Sequence, residues 1–328
     1  MIHAIYLTLN AVMLLGCVGC IALWVRVGAR YLKSRRSTLA EADTEGSIEP
    51  TSGPAEAPPP SGEGAEEQPV ELSATLWPVP RERPFWSAVD ALVMYGLMLF
   101  LSTLAITVAL SLGWMESAPE GSGKTLTQHA PFWAIGVSSA GGLAAALLTL
   151  TWLHLFAKNP LPRLGLKPSG KQIKLGLKAS VMLLPPVLVI SAVVSWFVPY
   201  AHPILDVLAD MTSVWQFVVL FVATAIVTPF VEEFLFRVLM QGGLQAFADR
   251  FGVTDASWKP VAWWPVVVTS VVFAMLHFGQ GAAPIPLFFL SLGLGFLYRQ
   301  TGNITAPIVI HVVLNGLTVV AECVKPVS

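Results

Sequence analysis

The chain has 328 residues, 55% of them hydrophobic and only 12% charged, and its mean hydropathy is +0.68. Soluble domains carry roughly 25% charged residues, so an ordinary soluble fold is excluded and an all-α, polytopic membrane helix bundle is expected. With 19 Lys and Arg against 20 Asp and Glu, the net charge is −1 and the pI about 6.6. That balance leaves no basic footprint and argues against a nucleic-acid partner.

Ile2 to Val25 is long enough to cross a hydrocarbon core of about 30 Å, and Arg26, Arg30, Lys33, Arg35 and Arg36 follow it at once. The positive-inside rule then places the amino terminus outside. Cys17 and Cys20, spaced C-x-x-C inside this apolar run, read as packing residues, and with Cys323 they are too few for a disulfide framework. From 37 to 84 the chain is rich in Pro, Glu, Ser, Gly and Ala, with no aromatic residue before Trp77. Such a composition cannot bury enough surface to fold. The expected organisation is therefore an anchor with a basic flank over 1–36, a disordered cytoplasmic linker over 37–84, and a multi-pass domain over 85–328.

Further spans are expected from about Ala88 to Leu112 and Phe132 to Phe156, joined by an external loop with Glu116, Glu120 and Lys124. Lys158, Arg163, Lys167, Lys171 and Lys174 then mark a cytoplasmic loop. The fourth span, about Leu175 to Val198, contains Pro185-Pro186 and should kink; the loop beyond it, with His202, Asp206 and Asp210, reads as external. A fifth span starts near Val214 and continues towards Arg250. Val261 to Phe278, Pro284 to Arg299 and Ile304 to Cys323 complete about eight spans, separated by turns at Gly279 to Gly281 and Gly302-Asn303.

The fifth span holds the unusual stretch, Val227 to Gln241, with Glu232, Glu233 and Arg237 set in an apolar run. A charged side chain near a bilayer centre costs roughly 2.5–3.5 kcal/mol on insertion scales, so compensation is required. Glu233 and Arg237, at i and i+4, share one helix face and can neutralise each other. Glu232 points about 100° away and is left facing a polar cavity. Pro229, one turn earlier, frees a backbone carbonyl near the carboxylates. The alternative is a structural ion-pair cluster, or the charged end of a span.

Two more polar groups lie downstream. His277 closes Phe273-Ala-Met-Leu-His277, and His311-Val-Val-Leu-Asn315 puts a histidine and an asparagine on one face of the last span. Each alone could be interfacial or interhelical glue, worth about 0.6 kcal/mol on average. Intramembrane ionisable residues face the bundle interior or a watery cavity, and a single shared site accounts for all of them together.

The ordered trio Glu232-Glu233-x-x-x-Arg237, Phe273-x-x-x-His277 and His311-x-x-x-Asn315 resembles the CAAX-protease and bacteriocin-processing (Abi) group of intramembrane proteases, over about Pro160 to Val320. Arg163-Leu-Gly-Leu-Lys167 is similar to that group's opening stretch. The resemblance implies a peptidase acting on a membrane-embedded or lipidated peptide within the bilayer. Glu232 would be the general base and His277 would help to bind the water. His311 and Asn315 would stabilise the oxyanion, with Glu233 and Arg237 orienting the site. No cofactor is then required.

Glu232, His277 and His311 could alternatively supply three ligands of an open zinc site, although the chain has no H-E-x-x-H motif. A non-catalytic binding or immunity protein, or an ion or proton transporter, are the competing functions; transport should show related halves, and no repeat stands out. One tension concerns depth. Glu232 and His277 can meet only if the fifth helix runs well beyond the bilayer, or if the sixth segment is short and starts deeper.

Overall fold

A computed structural model describes residues 78–114, 131–156, 163–199, 213–250 and 258–323, with a few further positions between 18 and 29 and between 207 and 211. Most of the expected first span, the linker up to 77, and the loops carrying Glu116, Glu120, Lys124, His202, Asp206 and Asp210 lie outside the described residues. Within them the fold is all-helical. The β pairing they contain is an isolated antiparallel bridge between Arg81 and Trp258.

Seven helices make up the described bundle: α1 (Ala88–Ser111), α2 (Pro131–Phe156), α3 (Gly170–Ser195), α4 (Val214–Ala248), α5 (Trp264–Met275), α6 (Pro284–Thr301) and α7 (Thr305–Cys323). Five of them, α1 to α4 and α7, are long and apolar enough to cross a membrane. α5, at 12 residues, is about 18 Å long and too short for a core of about 30 Å. α6, at 18 residues, ends in a buried polar stretch with Arg299 and Gln300 and is not among the five. The described residues therefore do not reach the expected eight spans.

Local chemistry sets the element ends. Ser87 caps α1: its hydroxyl accepts from Val89 N–H, while the Asp90 carboxylate takes the Ser87 N–H at 2.8 Å. Gly302, at φ 64°, ends α6 in the left-handed conformation that favours glycine. Its partner in that turn is Gly165, at φ 70°, from the Arg163 to Lys167 stretch, where Ile304 N–H donates to Gly165 O at 3.1 Å. The Asn303 amide also donates to Lys167 O at 2.9 Å, so this stretch is pinned to the α6–α7 turn. Pro185 and Pro186 lie inside α3 without ending it.

α1 packs on α2, where Gly141 lies against Ser102 with no room for a side chain, and α3 packs on α7 through Gly176, which faces Ala306 and Val309. Cys20 is buried, and its thiol donates to Met182 O of α3, as a packing residue would. Cys17 lies outside the described residues. α4 is the centre: 35 residues, about 52 Å, enclosed along its second half by Met94 of α1, Phe273 of α5 and Tyr298 of α6.

The last residues of the expected linker, 78–84, run extended along the bundle. Val79 N–H donates to Gln300 O at 2.9 Å, and Arg81 N–H to Trp258 O at 3.0 Å. The Arg81 guanidinium caps the end of α6 by donating to Tyr298 O and Arg299 O.

Candidate active site

α4 is not one regular helix. Two π-helical segments, Val222–Val227 and Phe234–Gln241, flank the short α-helical stretch Thr228–Glu233 that ends in the two glutamates. π turns inside α-helices are frequent at functional sites, because they leave backbone groups to be satisfied from elsewhere. In the first segment Thr228 N–H reaches back five residues to Ala223 O. The next such bond would run from residue 229 to Thr224 O, but Pro229 has no N–H. The Asn315 side-chain amide takes that carbonyl instead, at 2.9 Å. The second segment has a counterpart: Trp86 Nε1–H donates to Val238 O at 2.7 Å.

The carboxylates that follow are adjacent in sequence and unlike in surroundings. Glu233 is completely buried, and Arg237 Nε–H donates to its Oε2 at 2.9 Å, as the i, i+4 spacing predicts. Arg237 is equally buried; its Nη2 donates to Ser291 Oγ of α6 at 2.8 Å, and its guanidinium lies 5.7 Å from the centre of the Phe273 ring. Glu232 keeps 22% of its side chain exposed.

One imidazole joins the two. His311 Nδ1 lies 3.0 Å from Glu233 Oε1, and its Nε2 lies 3.5 Å from Glu232 Oε2. An ionised carboxylate only accepts, so Nδ1 carries the hydrogen towards Glu233. Nε2 and the Glu232 carboxylate then face each other. The resulting chain is Arg237, Glu233, His311, Glu232, with its charges compensated in order from the buried end to the open one.

His277 is positioned separately. It follows the last residues of α5, and its Nδ1–H donates to Phe273 O at 2.8 Å, which leaves Nε2 as the acceptor of the neutral ring. The link to the carboxylates is the buried Phe273 ring, 4.8 Å from the His277 ring and 5.9 Å, edge to face, from that of His311. The depth problem is thereby accounted for, because α4 runs on to Ala248 and α5 takes only 12 residues. Glu232, Glu233, Arg237 and His311 are thus in direct contact, His277 is held one ring away, and Asn315 lies one turn from His311 on α7.

Among the described residues no three His, Cys, Asp or Glu side chains are placed to hold a metal ion, and Glu232, His277 and His311 do not form such a set. Beside Phe273, which the motif names and which serves as the aromatic hub, two residues that the sequence did not single out join the network: Ser291 as the acceptor for Arg237, and Gln241, whose amide donates to Gly295 O at 2.8 Å. Ser291 and Gln241 did carry a signal, since each is a polar residue inside an apolar helix. Phe273 carried none beyond its place in the motif.

No curated protein and no solved structure matches the chain. Residues 214–317 match the family model described as type II CAAX prenyl endopeptidase Rce1-like, and they include every one of these site residues except Trp86. Over this segment the chain is similar to the Rce1-like type II CAAX prenyl endopeptidases.

Proposed function

We propose that the protein is an intramembrane endopeptidase that hydrolyses a peptide bond of a membrane-associated or lipid-modified protein or peptide, with Glu232 as general base. The observation that carries this reading is the unequal placing of two neighbouring carboxylates around His311: Glu233 sealed and neutralised by Arg237, Glu232 open. A purely structural ion pair has no use for the second, exposed glutamate.

In the reaction Glu232 takes a proton from a water molecule as its oxygen attacks the scissile carbonyl carbon. The C–N bond then breaks, and the proton passes to the leaving amine, directly or after resting on His311 Nε2. His277 Nε2, an acceptor, is suited to hold the second proton of the attacking water. Both nitrogens of His311 face carboxylates, so a relay suits it better than the oxyanion role that the resemblance implied. Asn315 spends one N–H on Thr224 O and keeps the second, which is the donor available for the oxyanion. Such a donor is worth about 2.7–4 kcal/mol in the transition state. No step is routed through a metal.

The protein is integral to the lipid bilayer, its natural partner. The basic flanks at Arg26 to Arg36 and Lys158 to Lys174 support an orientation with the amino terminus outside and the linker cytoplasmic; a bacterial cytoplasmic membrane is the proposed setting. The test is cleavage of quenched fluorescent peptides, prenylated and plain, by the detergent-purified protein. Glu232→Gln should lower kcat by about 10²–10⁴-fold, and a strong chelator should leave the wild type unaffected. Absence of Glu232-dependent cleavage on either peptide would favour a non-catalytic binding or immunity role.

A further inference from the structure

Glu233, Arg237, Gln241 and Gln245 recur every fourth residue along α4, and none has any exposed surface. The chemistry above uses the first two. Gln241 and Gln245 are unexplained by it: a leucine would fill either place without burying an amide.

The seam they line is well defined at Gln241. Arg237 reaches α6 through Ser291, and Gln241 reaches it through Gly295 O. A methyl group built on Gly295 would meet Gln241 Oε1 at 2.8 Å, Val266 of α5 at 2.9 Å and Arg237 Nη1 at 3.4 Å. Three helices, α4, α5 and α6, therefore converge on one point between these two polar groups, and the missing side chain of Gly295 is what leaves them room.

Four polar atoms along this face have no protein partner: Arg237 Nη1, Gln241 Oε1, and both Nε2 and Oε1 of Gln245. Exchanging the two ends of the Gln245 amide changes nothing, since neither end is bonded. A fully buried amide with both ends unpaired is strongly unfavourable unless a small polar molecule completes it. That molecule must accept from Arg237 and from the Gln245 N–H and donate to the two amide oxygens. Water does both, and a site offering several such partners is where buried water is found. Arg237 and Gln245 stand about two turns apart on α4, so more than one molecule is needed to join them.

We infer that the α4–α5–α6 seam binds a file of water molecules on Arg237, Gln241 and Gln245, and that this file delivers hydrolytic water to the glutamate pair from the Ala248 end of α4. The delivery role rests on the peptidase reading; the water site does not. It gives a function to polar residues that the peptide-bond chemistry leaves idle. It also lets the scissile bond arrive from the lipid side while water arrives through protein.

The test uses the full chain in detergent, with millisecond radiolytic labelling in ¹⁸O-water and cleavage kinetics run on the same preparations. Val266 and Phe273 are both buried, at 1% and 0% exposure, and flank the seam. Wild type should incorporate ¹⁸O at both despite their burial, and Gln245→Leu should reduce the Val266 label several-fold. Gln245→Leu should also lower kcat by about tenfold at unchanged KM, while Gln245→Asn, which keeps an amide, should recover most of the loss. Thermal unfolding should find Gln245→Leu no less stable than wild type. An unlabelled Val266 in wild type would overturn the water site. Wild-type kcat in Gln245→Leu would overturn the delivery route. Absence of Glu232-dependent cleavage in wild type would instead remove the peptidase reading and leave the labelling result standing.

Discussion

The two halves of α4 are built from similar apolar residues and end in different environments. In the first half Val214, Trp215, Val218, Val219, Val222 and Ile226 are all exposed, Val214 at 80%. From Val231 to Gln245 almost every side chain is buried, and the set includes Glu233, Arg237, Gln241 and Gln245. Hydropathy alone does not separate a lipid-facing length of helix from one enclosed by its neighbours. The polar residues do. The charged ones, Glu232, Glu233 and Arg237, lie at the start of the half that α1, α5 and α6 enclose, where Glu233 and Arg237 pair, and the first half, Val214 to Val227, carries no charge.

The strongest way to break this contrast is to unpair the enclosed half. Arg237→Leu should destabilise the protein by about 3–5 kcal/mol, because it leaves Glu233 buried without its main counter-charge. The measure is thermal or denaturant unfolding in detergent. Adding Glu233→Leu should restore more than half of the loss; a double variant as unstable as the single would mean that the burial cost of Glu233 is not what Arg237 offsets.

A smaller effect tests the irregular backbone that separates the halves. Trp86→Phe removes the N–H that Val238 O accepts and leaves a buried carbonyl unsatisfied, so about 1–3 kcal/mol should be lost. Trp86 lies outside residues 214–317. Loss of that size, with protection of the Val238 to Gly243 amides lowered in hydrogen exchange, would show that the preceding segment braces the site helix.

Much of the enclosed half was legible in the sequence, for a physical reason. Glu233 and Arg237 at i and i+4 meet as the spacing requires, and the ordered motifs on α4, α5 and α7 point to the family that the match over 214–317 supports. The single bond between His311 and Glu233 was not legible, since helix spacing fixes which residues share a face but not which helix faces which. The π segments escaped for a related reason: a pattern drawn at 3.6 residues per turn cannot report turns of another size, although Pro229 and Asn315 each held part of the explanation. The length of α5 was misjudged because the apolar run from Val261 to Phe278 looks like a span, whereas the helix begins only at Trp264 and gives way to turns after Met275.

The smallest expected effect belongs to the lipid-facing half. Val218, 51% exposed, makes few protein contacts to lose. Hydrocarbon tails are as apolar as a valine side chain, so no hydrophobic driving force is forfeited when Val218→Ala exchanges one apolar surface for a smaller one. The change in unfolding free energy should stay within about 0.5 kcal/mol, as for surface substitutions away from special features. Cleavage by the variant should match that of the wild type. A loss of 2 kcal/mol or more would mean that this face is packed against protein rather than lipid, and the contrast between the two halves of α4 would then be one of polarity alone.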